Sequence, residues 1–441
     1  MFRKALTLTA IVLVFGASDL QAEQVGVSWD GGGDGYSWGD PYNWDPNIVP
    51  DNAGGNTFAV TIDSGTGEIE VVWEYEHTID RLDCYGDVRL RGPMWEWTQL
   101  ALVDASGLTN HGVLGIHSWG LEFCKIQGNV TNTSGALLDL WGAEIEGNLT
   151  NQIDATIEAN GEVDVWDGNL VNAGLVIIGD HELNIKQNMH NTGQVKIYTG
   201  SLGVGGILDN DANAVITGLG AIFAGEDLVN NGRIFATGGD LVLIPGQGTF
   251  LNSAIIGNAA LTALNVAGFP GPTDDANNQG TIEVNAGGGV AFDSNLVNEP
   301  NGIIKLLGGT LAAPTIAQSA GATFNGQGNI TTSNLIIETD GLIRLTGPTN
   351  IFGSVQIDPN ATLEISDGTT LITGRTTCNN GTIHMIGGRV ICQGGLTNNN
   401  CRIIWEPGTY TNIADFNLDG TVNFKDFADF ANTWLWQASW Y

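Results

Sequence analysis

A phrase of about twenty residues returns along the middle of this chain, and it restricts the possible folds more than any other feature. "NTSGALLDLWGAEIEGNLTN" from Asn132, "NQIDATIEANGEVDVWDGNLVN" from Asn151 and "NAGLVIIGDHELNIKQNMHN" from Asn172 share one plan: an Asn-rich turn, apolar pairs about a Gly, and another turn. The columns hold when aligned. Ile145, Val165, Ile185 and Val204 recur in step, as do Ala143, Val163, Leu183 and Leu202, and Leu149, Leu170, Met189 and Leu208. Glu144, Asp164 and Asn184 alternate with them on the polar side. Period-two alternation nested in a period of about 20 predicts short strands, each turning one face inward. Successive turns then stack in parallel about 4.8 Å apart, with like residues above like. Asn and Gly suit the turns because a left-handed backbone costs them least.

A helical repeat fails, because helix-length windows without Gly or Asn are scarce and β-branched residues fill the apolar columns. A β-propeller needs repeats about twice as long. The pattern predicts an all-β parallel β-helix over residues 105–411, about 16 rungs and roughly 75–80 Å long. The repeat weakens at Gly268–Asn278, read as a loop leaving the rod, and again at Ala312–Asn329. The Asn-x-Gly-x-Ile and Gly-x-Leu rhythm resembles the repeats of filamentous-haemagglutinin-type and autotransporter passenger proteins. That resemblance implies a right-handed coil and a surface or adhesive role.

Charge narrows the function. The chain carries 48 acidic residues against 15 basic ones, a net charge of −33. A duplex-wide grip on nucleic acid is excluded, because it needs many Lys and Arg. Phe2-Arg3-Lys4, the apolar run Ala5–Ala17 and Ala22 before Glu23 read as an export signal over residues 1–22. No second run of spanning length follows, so no transmembrane span is expected in the mature chain. The five cysteines, Cys84, Cys124, Cys378, Cys392 and Cys401, fit neither a disulfide framework nor a zinc spacing. Pairs among the last three are expected in an oxidising compartment, with one thiol left over.

Residues 23–104 differ from the middle. "SWDGGGDGYSWGDPYNW" sets Trp29, Trp38 and Trp44 among Gly and Asp, and resembles the opening of other secreted bacterial β-helix proteins. An aromatic cap over the open core is the first reading. A sugar platform and a calcium turn about Asp30 and Asp34 are the alternatives.

The most specific motif is "DFNLDGTVNFKD", Asp415 to Asp426, within the last segment, 412–441. Calcium takes six to eight oxygens, and a twelve-residue loop can wrap it. Asp415, Asn417 and Asp419 hold positions 1, 3 and 5, Gly420 permits the sharp turn, and Thr421 offers its carbonyl. Asn423 and Asp426 fill positions 9 and 12. Phe424, Phe427, Ala428, Ala431, Trp434 and Leu435 follow at helical spacing. No helix-like segment precedes the loop and Asp closes it, so Asp415–Trp436 resembles a dockerin repeat. The resemblance implies Ca2+ on Asp415, Asn417, Asp419, Thr421, Asn423 and Asp426, and a cohesin-like or other protein partner. A full dockerin has two such loops, and here Phe424 and Lys425 replace the usual small polar pair.

Catalytic signatures are sparse. Glu144 and Asp164, adjacent in one outward column, form the best acidic cluster and would stand about 5 Å apart. That spacing suits a retaining glycosidase pair or an added cation. Lys186 is the one basic residue expected near it, and the turns look too short to build a cleft. Trp119 and Trp141, each nine residues after a repeat Asn, could form an outward ladder for stacking a glycan, or pack in the core. These residues predict a secreted or cell-surface, non-catalytic β-helical protein with a calcium-binding tail, serving adhesion, extracellular assembly or polysaccharide association. The alternative is a polysaccharide lyase or glycoside hydrolase of the β-helix type with the same appendage.

Overall fold

Each turn of the coil is made of three short strands, and each strand lies parallel to its counterpart in the next turn. Leu149–Asn151, Thr156–Ala159 and Val163–Trp166 form one such turn, and Leu170–Asn172, Leu175–Ile178 and Glu182–Ile185 form the next. They pair residue for residue, Leu149 on Leu170, Ile157 on Val176 and Val165 on Ile185. Three parallel sheets therefore run along a β-solenoid of about 16 turns, roughly 75 Å at the usual strand spacing. The computed structural model describes residues 24–406 apart from 53–55, 74, 93–97, 119–122, 247–249, 260–261 and 268–274. The expected export signal and calcium segment lie outside the described residues.

Alternation sets which side chains face in. The columns Ile145–Val165–Ile185–Val204 and Leu149–Leu170–Met189–Leu208 are continuous and buried, as the sequence predicts. Full burial of each such aliphatic chain contributes on the order of 1.5–3 kcal/mol. Strands also continue through Ile303–Ala312 and Thr323–Ile337. At Ala312–Asn329 the repeat motif weakens in sequence, yet the apolar alternation that holds the coil persists.

The repeated Asn has a different role from the one its turn position suggests. Asn110, Asn132, Asn151, Asn172, Asn191, Asn210, Asn230, Asn252, Asn278 and Asn298 all point inward and are buried. Each side-chain nitrogen donates to the side-chain oxygen of the next, at 2.6–2.9 Å, and Asn298 donates to Gln318. Several also donate to the carbonyl that opens the next turn's second strand, as Asn132 does to Thr156 and Asn151 to Leu175. A buried amide is costly unless paired, and the stack pairs it. The left-handed positions are held instead by Asp154, Asn213, Asn301, Asp340, Asn360, Asn380 and Asn400, among others. The ladder also sets the tolerance of the repeat. Its steps range from 19 to 26 residues, with the extra residues carried between strands.

The two ends are finished differently. Trp29, Trp38 and Trp44 are buried at the N-terminal end, with Trp44 edge-on to both others at 4.9 and 4.8 Å between ring centroids. Trp38 Nε1 donates to the Pro50 carbonyl and Trp44 Nε1 to that of Trp38. At the other end Cys378 and Cys401 form a disulfide. Cys392 is a half-buried free thiol, and Cys84 and Cys124 are buried thiols. Burial pushes the thiol pKa of all three upward.

Candidate functional site on the third sheet

The outward face of the third sheet holds the residues with the most chemistry. Lys125, Glu144, Asp164, Asn184, Gly203 and Phe223 form one column. Glu144 and Asp164 are adjacent, as their spacing predicts, but neither is left unpaired. Lys125 Nζ lies 3.2 Å from Glu144 Oε1 and also contacts Glu146. Lys186 Nζ lies 3.1 Å from Asp164 Oδ1 and 4.7 Å above the Trp166 ring. Burial works against the Lys125 charge, but hydrogen bonds to Glu146 and Glu144 outweigh it and raise its pKa. The expectation that Lys186 alone stands near the cluster is corrected: Lys125, one turn earlier, is in register with Glu144. Alternating charges compensate one another here, which removes the two free carboxylates that a glycosidase pair or a cation site would need.

Trp141 is 52% exposed and points outward as alternation requires. Its register neighbour in the preceding turn is His117. Trp119 lies outside the described residues and outside that register pair. The physical reason is turn length. Three residues lead from Asn110 to the start of Val113–His117, but five lead from Asn132 to the start of Leu137–Trp141, so equal counts from Asn do not give equal columns. Among the described residues Trp141 instead makes a ring contact with His181, 6.0 Å away between centroids.

His181 sits in a feature that spacing arguments missed. A shallow groove of about 590 Å³ opens at the corner between the second and third sheets, lined by Glu162, Asp180, His181, Glu182, Ser201 and Phe223 among others. Loop insertions do not build it. Gly200, Gly220 and Ala221 also line it. Small residues among larger neighbours hollow the surface there, Gly200 and Gly220 between His181 and Phe223. Carboxylates, a hydroxyl and an imidazole beside exposed Phe223 and Trp141 can hydrogen-bond sugar hydroxyls and stack on a pyranose face.

Two other polar clusters are internally paired. His117 Nε2 and Asp139 Oδ2 are 2.9 Å apart, and Asn160 donates to Asp139 Oδ1. Burial alone would raise the Asp139 pKa, but these two partners bring it below the usual value. Asp34 accepts from the Ser37 and Tyr36 amides and from Asn43, which lowers its pKa, while Asp30 accepts from Gly32. The N-terminal Gly/Asp loop is therefore closed by its own hydrogen bonds. Among the described residues no three His, Cys, Asp or Glu side chains converge as a metal site, and no helix is long and apolar enough to cross a membrane. The calcium ligands expected at Asp415, Asn417, Asp419, Thr421, Asn423 and Asp426 lie outside the described residues. Compared with known proteins, the chain matches no family model, no curated protein and no solved structure.

Proposed function

We propose that this chain is an exported, non-catalytic β-helical rod of the cell exterior that associates with a polysaccharide along its third sheet and binds Ca2+ at its tail. The coil is proposed to be right-handed, the sense of nearly all parallel crossover connections. One observation carries the glycan reading: the groove at Glu162, His181, Ser201 and Phe223 combines aromatic faces with hydrogen-bonding groups beside exposed Trp141. Glu162, Asp180 and Glu182 make its rim acidic, which favours neutral or amino-bearing sugars over uronates. The calcium reading is carried by the donor set, all oxygen and in the order a twelve-residue loop requires. A cohesin-like partner for the tail belongs to the same proposal.

Retention on a panel of immobilised neutral, amino and acidic glycans, with Trp141→Ala and Phe223→Ala as controls, tests the groove. Retention that both substitutions leave unchanged refutes it. Calorimetric titration of the full chain with Ca2+, against the Asp415→Ala/Asp419→Ala variant, tests the tail. A second reading, a polysaccharide lyase or hydrolase, is favoured by the three carboxylates about the groove. Product release from the same panel, abolished by Glu162→Gln or Glu182→Gln, would establish it in place of the first.

A further inference from the structure

We infer that a second hollow, beside Phe223, is a subsite for an acetamido-bearing sugar unit, so that a bound glycan lies along one turn, across the rod rather than down its length. This subsite rests on the glycan reading of the first groove and names the sugar class for it. The first groove does not stop at Phe223. A hollow of about 260 Å³ adjoins it, and the two share Glu182 and Phe223. They follow one another in the strand direction. His181, Ser201 and Ala221 line the first, towards the start of the third-sheet strands, whereas Lys186, Gly205 and Gly225 line the second, just past their ends. A ligand that fills both therefore runs along a turn. From Ser201 to Gly205 the extended chain covers about 13 Å, the reach of a short oligosaccharide rather than of one ring.

The middle of this track lacks a side chain. Gly203 is in register with Asn184 in the preceding turn and with Phe223 in the following one, and Phe223 with Ile244 beyond it. Asn184 and Phe223 are thus two strand spacings apart, about 10 Å, with only Gly203 between them. The Asn184 amide leans over the gap, because a Cβ added to Gly203 would collide with its Oδ1. That amide makes no side-chain hydrogen bond among the described residues, so it is open to a ligand. Phe223 and Ile244 offer apolar surface, and Lys186 at the far edge is held by Asp164, 3.1 Å away. An acetamido group answers this combination. Its N–H and carbonyl pair with a side-chain amide, and its methyl lies against Phe223 and Ile244. A hydroxyl in its place would leave the apolar wall wet, and an ammonium would lose its hydration there without a partner.

Binding of N-acetylglucosamine oligomers and of glucose oligomers with the same linkage is measured by calorimetry on the full chain, beside Asn184→Ala and Gly203→Gln. The subsite predicts at least about tenfold tighter binding of the acetylated series, and loss of that preference in both variants. Affinity should level off once an oligomer fills both hollows, because a glycan laid across the rod leaves it after one turn. Equal affinities of the two series, or a preference that both variants keep, overturn the subsite. The first groove's reading then stands or falls separately, on whether Phe223→Ala abolishes the binding seen. If neither series binds and no immobilised glycan retains the chain, both fall. Asn184→Ala removes no internal hydrogen bond of that side chain, so it decides the question should Gly203→Gln disturb its strand.

Discussion

One corner of this coil is built in two ways along its length. From Asn110 to Asn298 it is an amide stack ending in Gln318, and beyond that the same inward position is Ile337, Ile357 and then Cys378. The two regions share backbone pairing and parallel register, so the corner does not require Asn. What Asn adds is directional: each amide fixes its neighbour's position and several also pin a carbonyl of the following turn, as Asn132 and Asn151 do, whereas an aliphatic chain only fills volume. The ladder runs through uneven turns, including the long step from Asn252 to Asn278. After it, the steps from Gln318 to Ile337 and from Ile337 to Ile357 are nearly even.

The sharpest way to break this contrast is to place an aliphatic residue inside the ladder. Asn191→Leu leaves the Asn210 side-chain oxygen without its donor and deprives the Asn172 amide of its acceptor in a fully buried site. The expected loss is about 2–4 kcal/mol, from one or two unsatisfied buried groups. Hydrogen exchange would show the damage in adjoining turns rather than along the whole rod, because solenoid turns contact only their neighbours. A loss below about 0.5 kcal/mol in denaturant titration would make the amides ornamental.

Next in size is the disulfide, which takes over where the ladder and then the aliphatics end. Cys378 and Cys401 close a segment of 23 residues, for which chain entropy predicts roughly 3 kcal/mol at most. Mild reduction, or Cys378→Ala/Cys401→Ala, should raise exchange in Thr382–Ile386 and Arg402–Glu406 and leave Leu149–Asn151 unchanged. A uniform rise along the rod would contradict independent turns.

Gln318→Leu is smaller still. The side-chain nitrogen of Gln318 is buried without a partner, so its removal offsets the hydrogen bond lost from Asn298, which keeps the Thr323 carbonyl. A change within about 1 kcal/mol is expected. A cost equal to that of Asn191→Leu would show that the end of the stack matters as much as its middle.

The columns were legible in the sequence because inward positions admit few residue types, so Ile145, Val165, Ile185 and Val204 announce their register unaided. The Asn ladder was visible as a repeat but not as an interior feature. Asn has two physical uses, a left-handed turn residue and a stackable amide, and composition does not distinguish them. Pairings across turns of unequal length were not legible: two extra residues after Asn132 carry Trp141 onto His117 rather than Trp119. Compensating charge was half legible. Glu144 beside Asp164 followed from spacing, but Lys125 came from a turn whose register is set past 119–122. The groove escaped because it is an absence of side chains at Gly200 and Gly220, and searches for sites look for residues that are present.

The mildest prediction opposes the ends of the rod through pH. His77 is buried against Trp38, with ring centroids 5.6 Å apart, and its nearest charged partner is Asp51, 3.8 Å from Nδ1. Burial lowers the His77 pKa below its ordinary 6.5, and Asp51 only partly opposes this. The unfolded chain therefore takes up this proton at a higher pH than the folded one. The stability His77 contributes is fully present above about pH 6.5 and is lost as pH falls toward its depressed folded value. Acidification from pH 7.5 to 5 should thus raise amide exchange around Trp38, Trp44 and His77–Ile79 before it affects the disulfide-closed end, where His384 keeps partial exposure and sits 3.2 Å from Glu406. His77→Phe should flatten the profile by keeping the ring and removing the proton. If the wild type and the variant lose protection together at the N-terminal end, another group controls that end, and the contrast between an aromatic, proton-sensitive closure and a covalent one fails.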